Sequence, residues 1–402
     1  MISRRSFLSG LGVTAVAAGA AGVAGFAPAG TPTAALAGTK GARAASLPLT
    51  IVNNSGRYPN SAVRAYIVGT NLDTQEQCHV TADGALTPVK ESDNTDGGFT
   101  DYSIPLSDGE TQISLPQPLS GRMYLAFEDK LKFKVVVDGN GKPALQYPAG
   151  HVEGDPSYNV LYDTFEFTHK SSGASDDGMY CNSSMVDQFS APIAINLKGE
   201  KDQTTGRLVE GGRDRIFDAI AADPDLSPLI VGDRMRIIAP SHGLDLGAFP
   251  DDYFAPYIDE VWSHYAGNDL KVTTNEGTFT GRVADGLLKF DGGVTPFEKP
   301  STRDVLFCDG ALAAPNDPTT GPVAAILGAG FNRSTLLSHA DQPTRDAATF
   351  YQTEISNHYS RILHENMVDG KAYGFAFDDV ADFASYVQDH APKSVTVTIT
   401  PF

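Results

Sequence analysis

The 402-residue sequence predicts a mainly β fold carrying an inserted α/β portion, and three observations support that expectation. Residues 47 to 197 hold short apolar runs separated by Gly, Asn and Asp turns, the texture of a sandwich or barrel. From residue 198 onward, apolar side chains recur at helical spacing between shorter strand-like runs. Strand-like sequence then returns after residue 367.

Taken in order, the chain opens with Ser3-Arg4-Arg5-Ser6-Phe7-Leu8 before a Gly/Ala-rich apolar stretch, the arrangement of a twin-arginine export signal over residues 1–37. Small residues favour cleavage after Ala37 or near Ala44, and either cut leaves a soluble, secreted product. The first β portion, 46–197, includes Leu49-Thr50-Ile51-Val52, Met123-Tyr124-Leu125-Ala126-Phe127 and Phe133-Lys134-Val135-Val136-Val137. The α/β portion, 198–367, places Ile216, Phe217 and Ile220 on one helical face, with further helices expected over 251–265, 322–337 and 345–367. Strands are expected there at Met235-Arg236-Ile237-Ile238 and Val305-Leu306-Phe307. Residues 368–402 contribute Ala372-Tyr373-Gly374-Phe375-Ala376-Phe377 and Ser394-Val395-Thr396-Val397-Thr398-Ile399, read as strands rejoining the first β portion.

Composition narrows the partners. A chain 41% hydrophobic and 20% charged has the length and apolar content for one large core or two ordinary ones. Its net charge of −19 becomes two units more negative once Arg4 and Arg5 are removed with the signal. Such a field repels nucleic acid and anionic membranes, and no Lys/Arg cluster makes a local exception; a neutral polymer is a compatible partner, while the acidity can equally serve solubility alone, and a monomer is expected. Cys78, Cys181 and Cys308 lie too far apart for a disulfide framework or a zinc spacing, and at most one intrachain disulfide is available.

Chemistry concentrates in one stretch. Tyr162-Asp163-Thr164-Phe165-Glu166-Phe167-Thr168 alternates so that Phe165 and Phe167 face one side and Thr164, Glu166 and Thr168 the other. A hairpin centred on Asp176 and Asp177 is expected to return Asn182-Ser183-Ser184-Met185-Val186-Asp187 antiparallel, with Asp187 near Glu166. Two carboxylates in unequal surroundings have their pKa values pushed apart and can divide the work of proton donor and water-activating base. Acids on solvated strands are common, so spacing alone leaves a surface role open.

These segments resemble a known family. Phe165-Glu166-Phe167-Thr168 followed by Val186-Asp187-Gln188-Phe189-Ser190-Ala191-Pro192-Ile193 is similar to the laminaripentaose-producing β-1,3-glucanases, glycoside hydrolase family 64. Gly121-Arg122-Met123-Tyr124, Phe331-Asn332-Arg333-Ser334, Asn357-His358-Tyr359-Ser360 and the run from Asp369 to Val380 fit the same family in the same order. The resemblance implies a thaumatin-like β domain, an inserted mixed α/β domain and a groove between them for β-1,3-glucan. It places the general acid at Glu166 and the general base at Asp187 of an inverting, cofactor-free hydrolase. Thr168, Asn182 and Ser184 beside them, and the Asp378-Asp379 pair, are the residues assigned to substrate. That pair either lines the cleft or caps the preceding strand. Two departures stand out: a longer 169–180 loop followed by Cys181, and no arginine between Leu145 and Leu161 where thaumatin-like clefts carry one. The rival reading is a thaumatin-like protein that binds the glucan without cutting it.

Other candidates fall away. His358 and His364 are six apart, which separates them by about 240° on a helix and spoils a shared metal site. Ser92 to Ser103 lacks acids at the first and last positions of a calcium loop. The sequence holds no nucleophile elbow, P-loop or dinucleotide fingerprint. Trp262 falls at helical spacing with Phe254, Ile258, Val261 and Tyr265, which reads as core packing.

Overall fold

The computed structural model describes residues 46–171 and 177–402. The export signal, both cleavage positions and the loop tip at Asp176 lie outside the described residues. Two large sheets face each other across an apolar layer. One has five strands in the order Asp202–Thr205, Ile193–Lys198, Ser394–Ile399, Ser46–Asn53 and Thr111–Pro116. Its returning strand Ser394–Ile399 runs parallel to Ser46–Asn53 and antiparallel to Ile193–Lys198. The other sheet is built around Gly178–Asn182, Leu161–Lys170, Leu119–Phe127 and Val63–Asn71, each antiparallel to the next. Leu49, Ile51, Ile67, Met123, Phe165, Phe167, Ile195 and Val397 meet between the sheets.

Period-two alternation explains why the second sheet has two different faces. Residues 165 and 167 point into the inter-sheet core, so 162, 164, 166 and 168 point outward. At one end that outward face is covered: Tyr66, Tyr124 and Tyr162 pack with Phe133, Val135 and Leu145, around the hairpin Lys134–Val137/Pro143–Gln146. Further along the same face, Arg122 and Glu166 are directly paired across the strands.

A second large core gathers the helices. Helices Gly212–Ala222, Ala255–Tyr265, Thr320–Asn332 and His358–Glu365 contribute Ile216, Phe217, Ile258, Trp262, Leu327 and Leu363, alongside a three-stranded and a four-stranded sheet. Trp262 packs in this core and donates Nε1–H to the Gly286 carbonyl at 3.1 Å, in line with its helical spacing.

Three local expectations are corrected. Val305-Leu306-Phe307 lies in helix Thr302–Phe307, because Ser301 and Asp304 form a reciprocal capping box that starts a helix just before the apolar run. Residues 372–377 form no strand; the chain turns there, and the Gly374 N–H is taken by the Asp378 carboxylate. The helix expected over 345–367 is confined to His358–Glu365, opened by Asn357, whose side chain accepts from the Ser360 N–H.

Candidate functional site

The segment 181–191 decides where the carboxylates meet. Cys181 and Ala191 pack in the inter-sheet core, whereas Met185 and Phe189 between them pack in the helical core. The chain therefore crosses from one core to the other and back. Met185 is fastened by its N–H to the Tyr373 carbonyl at 2.9 Å and by its carbonyl to the Tyr359 hydroxyl at 2.7 Å. Gln188–Phe189 then pairs with Ile237 and Ile238 of another sheet. Asp187 sits at this crossing.

The expected hairpin is thus half right. Gly178–Asn182 does return antiparallel to Leu161–Lys170, but Asn182, not Asp187, lies opposite Glu166. Asp187 follows five residues later, after the strand has ended. What joins the two acids is Arg122, on the other neighbouring strand. Its Nε and Nη2 reach Glu166 Oε1 at 2.9 and 2.7 Å, and its Nη1 lies 3.6 Å from Asp187 Oδ2. One guanidinium touching both carboxylates keeps the contacting oxygens within about 9 Å, a bound that admits both the roughly 5–5.5 Å of a nucleophilic pair and the roughly 6.5–9.5 Å that leaves room for a water.

The two acids occupy unequal surroundings. The Glu166 side chain is 4% exposed, and Asn182 Nδ2 donates to its Oε2 at 3.3 Å. The Asp187 side chain is 33% exposed. Burial works against its ionisation, but the His242 hydrogen bond and the Arg122 charge outweigh burial and hold its carboxyl well below the usual range. His242 Nε2 stands 3.1 Å from Asp187 Oδ1.

The remaining assigned residues divide. Thr168 is buried, its hydroxyl 2.8 Å from that of Ser120. Asn182 is buried beside the acid, and its side-chain oxygen has no hydrogen-bond partner among the described residues. Ser184 is half-buried on the crossing segment. Asp378 is corrected: it is 0% exposed and spends its carboxylate on Arg333, Ser360, His364 and the Gly374 N–H, which makes it an internal anchor rather than a cleft residue. Asp379 next to it is half-buried.

His151, Asp187 and His242 bring potential ligand atoms within 4.8 Å of one another. They make a poor metal cage. The imidazoles are stacked 3.8 Å apart with planes only 17° from parallel, so their lone pairs run side by side instead of converging. His242 Nε2 is already directed at Asp187, and Arg122 adds a cation nearby.

Sequence reasoning missed Arg122, His151 and His242 as site residues. Arg122 was visible as an arginine on the polar side of an alternating strand, in a segment that fits the family. The histidines carried no such signal.

Comparison with known proteins gives a consistent answer. The family described as β-1,3-glucanase, glycoside hydrolase family 64, matches residues 45–399. A glucan endo-1,3-β-glucosidase of Cellulosimicrobium cellulans is 33% identical over 89% of this chain, and the chain spans 66% of that relative's length. The crystal structure of a laminaripentaose-producing β-1,3-glucanase in complex with laminaritetraose is 37% identical, with a TM-score of 0.80 over 89% of this chain and 99% of the other. A β-1,3-glucanase domain from Clostridium beijerinckii is 28% identical, with a TM-score of 0.76 over 89% and 98% of the two chains.

Proposed function

Since the chain belongs to glycoside hydrolase family 64, we propose that it hydrolyses β-1,3-glucan with Glu166 as general acid and Asp187 as general base. The observation that carries this reading is the single Arg122 guanidinium set between one buried and one half-exposed carboxylate. Glu166 gives its proton to the glycosidic oxygen as the bond to the anomeric carbon breaks. The carboxylate left behind gains strength of interaction with Arg122 as its charge develops, so the guanidinium favours the transition state over the ground state. Asp187, kept ionised, takes a proton from the water attacking the opposite face of the sugar.

The wider reading follows the family. The paired large sheets are assigned to a thaumatin-like β domain of 46–197 and 368–402, and residues 198–367 to an inserted α/β domain with the glucan groove between them. Two separate large cores, one mostly helical, support that division. Export through the twin-arginine route rests on Arg4 and Arg5, and a monomer is proposed for the secreted product.

The test is a reducing-sugar assay on laminarin and curdlan, with proton NMR of the anomeric configuration in the first minutes. Glu166→Gln and Asp187→Asn are each expected to lower kcat by about 10²- to 10⁴-fold while the protein still binds glucan. Initial α-anomeric ends support Asp187 as the base. Initial β-ends would make it a nucleophile and overturn the mechanism.

A further inference from the structure

Asp187 is held by one short piece of chain through two different contacts. The Ala239 N–H donates to the Asp187 carbonyl at 3.0 Å. Three residues on, His242 in helix Pro240–Asp245 points Nε2 at Asp187 Oδ1, 3.1 Å away. The same helical turn therefore fixes both the main chain and the carboxylate of this residue. The His242 ring is itself confined: His151 stacks on its face at 3.8 Å, and Phe307 meets it edge-on at 5.5 Å and 88°. A ring gripped this way loses little further freedom when it donates to the carboxylate.

We propose that His242 is the positioning residue of the base: it fixes Asp187 Oδ1 and so leaves Oδ2, on the Arg122 side, to receive the proton of the attacking water. This inference rests on the assignment of Asp187 as the base. The charged and titratable groups around the imidazole are Asp187 on Nε2, Asp245 with Oδ2 3.8 Å from Nδ1, His151 on the ring face, and Arg122 beyond Asp187. Arg303 in turn holds Asp245 Oδ1 at 2.6 Å. Burial and the neighbouring His242 push His151 down to about 4, so its ring stacks without charge at neutral pH. Nε2 has the hydrogen-bonding contact, 3.1 Å to Asp187 Oδ1, whereas Nδ1 stands 3.8 Å from Asp245 Oδ2, and because a carboxylate can only accept, Nε2 is the donor to Asp187 in the neutral ring and in the imidazolium alike. The donor role therefore survives protonation, and the hydrogen bond rather than the charge is what positions the base.

Three variants separate this from packing. His242→Phe keeps an aromatic ring against His151 and Phe307 but has no donor, His242→Gln keeps a donor without the ring, and His242→Ala removes both. Steady-state kinetics on laminarin across pH 3 to 8 are expected to show kcat about 10- to 100-fold lower for Phe and Ala, with KM within twofold. The acidic limb of kcat/KM should move to higher pH in both, since Asp187 loses a donor that favours its ionised form. Gln should restore kcat to within about fivefold and return the limb. Full activity in the Phe variant, or equal loss in all three with an unmoved limb, would assign His242 a packing role and sink the proposal. An active Asp187→Asn protein would instead defeat the assignment of the base itself, a failure distinct from the first.

Discussion

Replacing Arg122 by Met tests the link between the two acids, because it removes the cation and leaves most of the aliphatic volume. At the observed 2.7 Å and an effective dielectric of about 20, the attraction between Arg122 and Glu166 in its ionised form, the form left once the acid has given up its proton, has a gross value of roughly 6 kcal/mol. Much of that offsets desolvation. Removing one partner from a buried pair nevertheless costs about 3–5 kcal/mol, because the survivor is left without compensation. Arg122 keeps 21% exposure, so water reaches part of the vacated site, and the expected loss is nearer 3 kcal/mol. Arg122→Lys restores a point charge without the fork and should recover about half of it. Urea unfolding followed by circular dichroism measures the loss. In parallel, kcat on laminarin should fall about 10²- to 10³-fold in the Met variant, the range found when a preorganised donor to developing charge is removed. A Met variant within about 1 kcal/mol of the parent, with kcat within threefold, would refute the role given to the guanidinium.

Two further outcomes concern the frame around the site. A Cβ at Gly121 would run into the Val68 carbonyl carbon at 2.9 Å and the Gly69 Cα at 2.7 Å, beside Arg122 in sequence. Gly121→Ala is therefore expected to destabilise by about 1–3 kcal/mol and to lower activity, whereas Gly139→Ala, in open space, should do neither. The second concerns His364 and Asp378. Burial works to lower His364, but the Asp378 charge and hydrogen bond outweigh it and raise its pKa in the folded state. The resulting stabilisation is fully present below about pH 6.5 and is lost as pH rises through the raised value. Asp378, for which burial is outweighed by the His364 and Arg333 charges, stabilises above its unfolded pKa and loses that as pH falls through its lowered one. Thermal scans from pH 5 to 9 should show the parent losing Tm on the alkaline side and His364→Gln showing a flatter profile. Parallel curves would place the pair outside the stability linkage.

The sequence by itself determined what depends on neighbours along the chain. Alternation around Glu166 put Phe165 and Phe167 in the core and the acid on the opposite face, because a strand reverses its side chains at every residue. Helical spacing likewise placed Ile216, Phe217, Ile220 and Trp262 in the second core. Short apolar runs misled at residues 305–307 and 372–377, where a capping box in one case and a turn fastened by Asp378 in the other overrode the pattern. Only the tertiary structure decided the site itself. Asp187 lies beyond the end of its strand, on the segment that crosses between two cores, so no register in the sequence could set its distance from Glu166. Arg122 reaches Glu166 across 44 residues, and His242 reaches Asp187 across 55. For Asp378 the sequence left a cleft role and a structural one open, and the interior anchor it forms depends on Arg333, His364 and Ser360 folding around it. Periodicity records which side of an element is apolar, whereas the meeting of polar groups depends on how separate elements pack, and that is settled only when both cores close around the crossing segment.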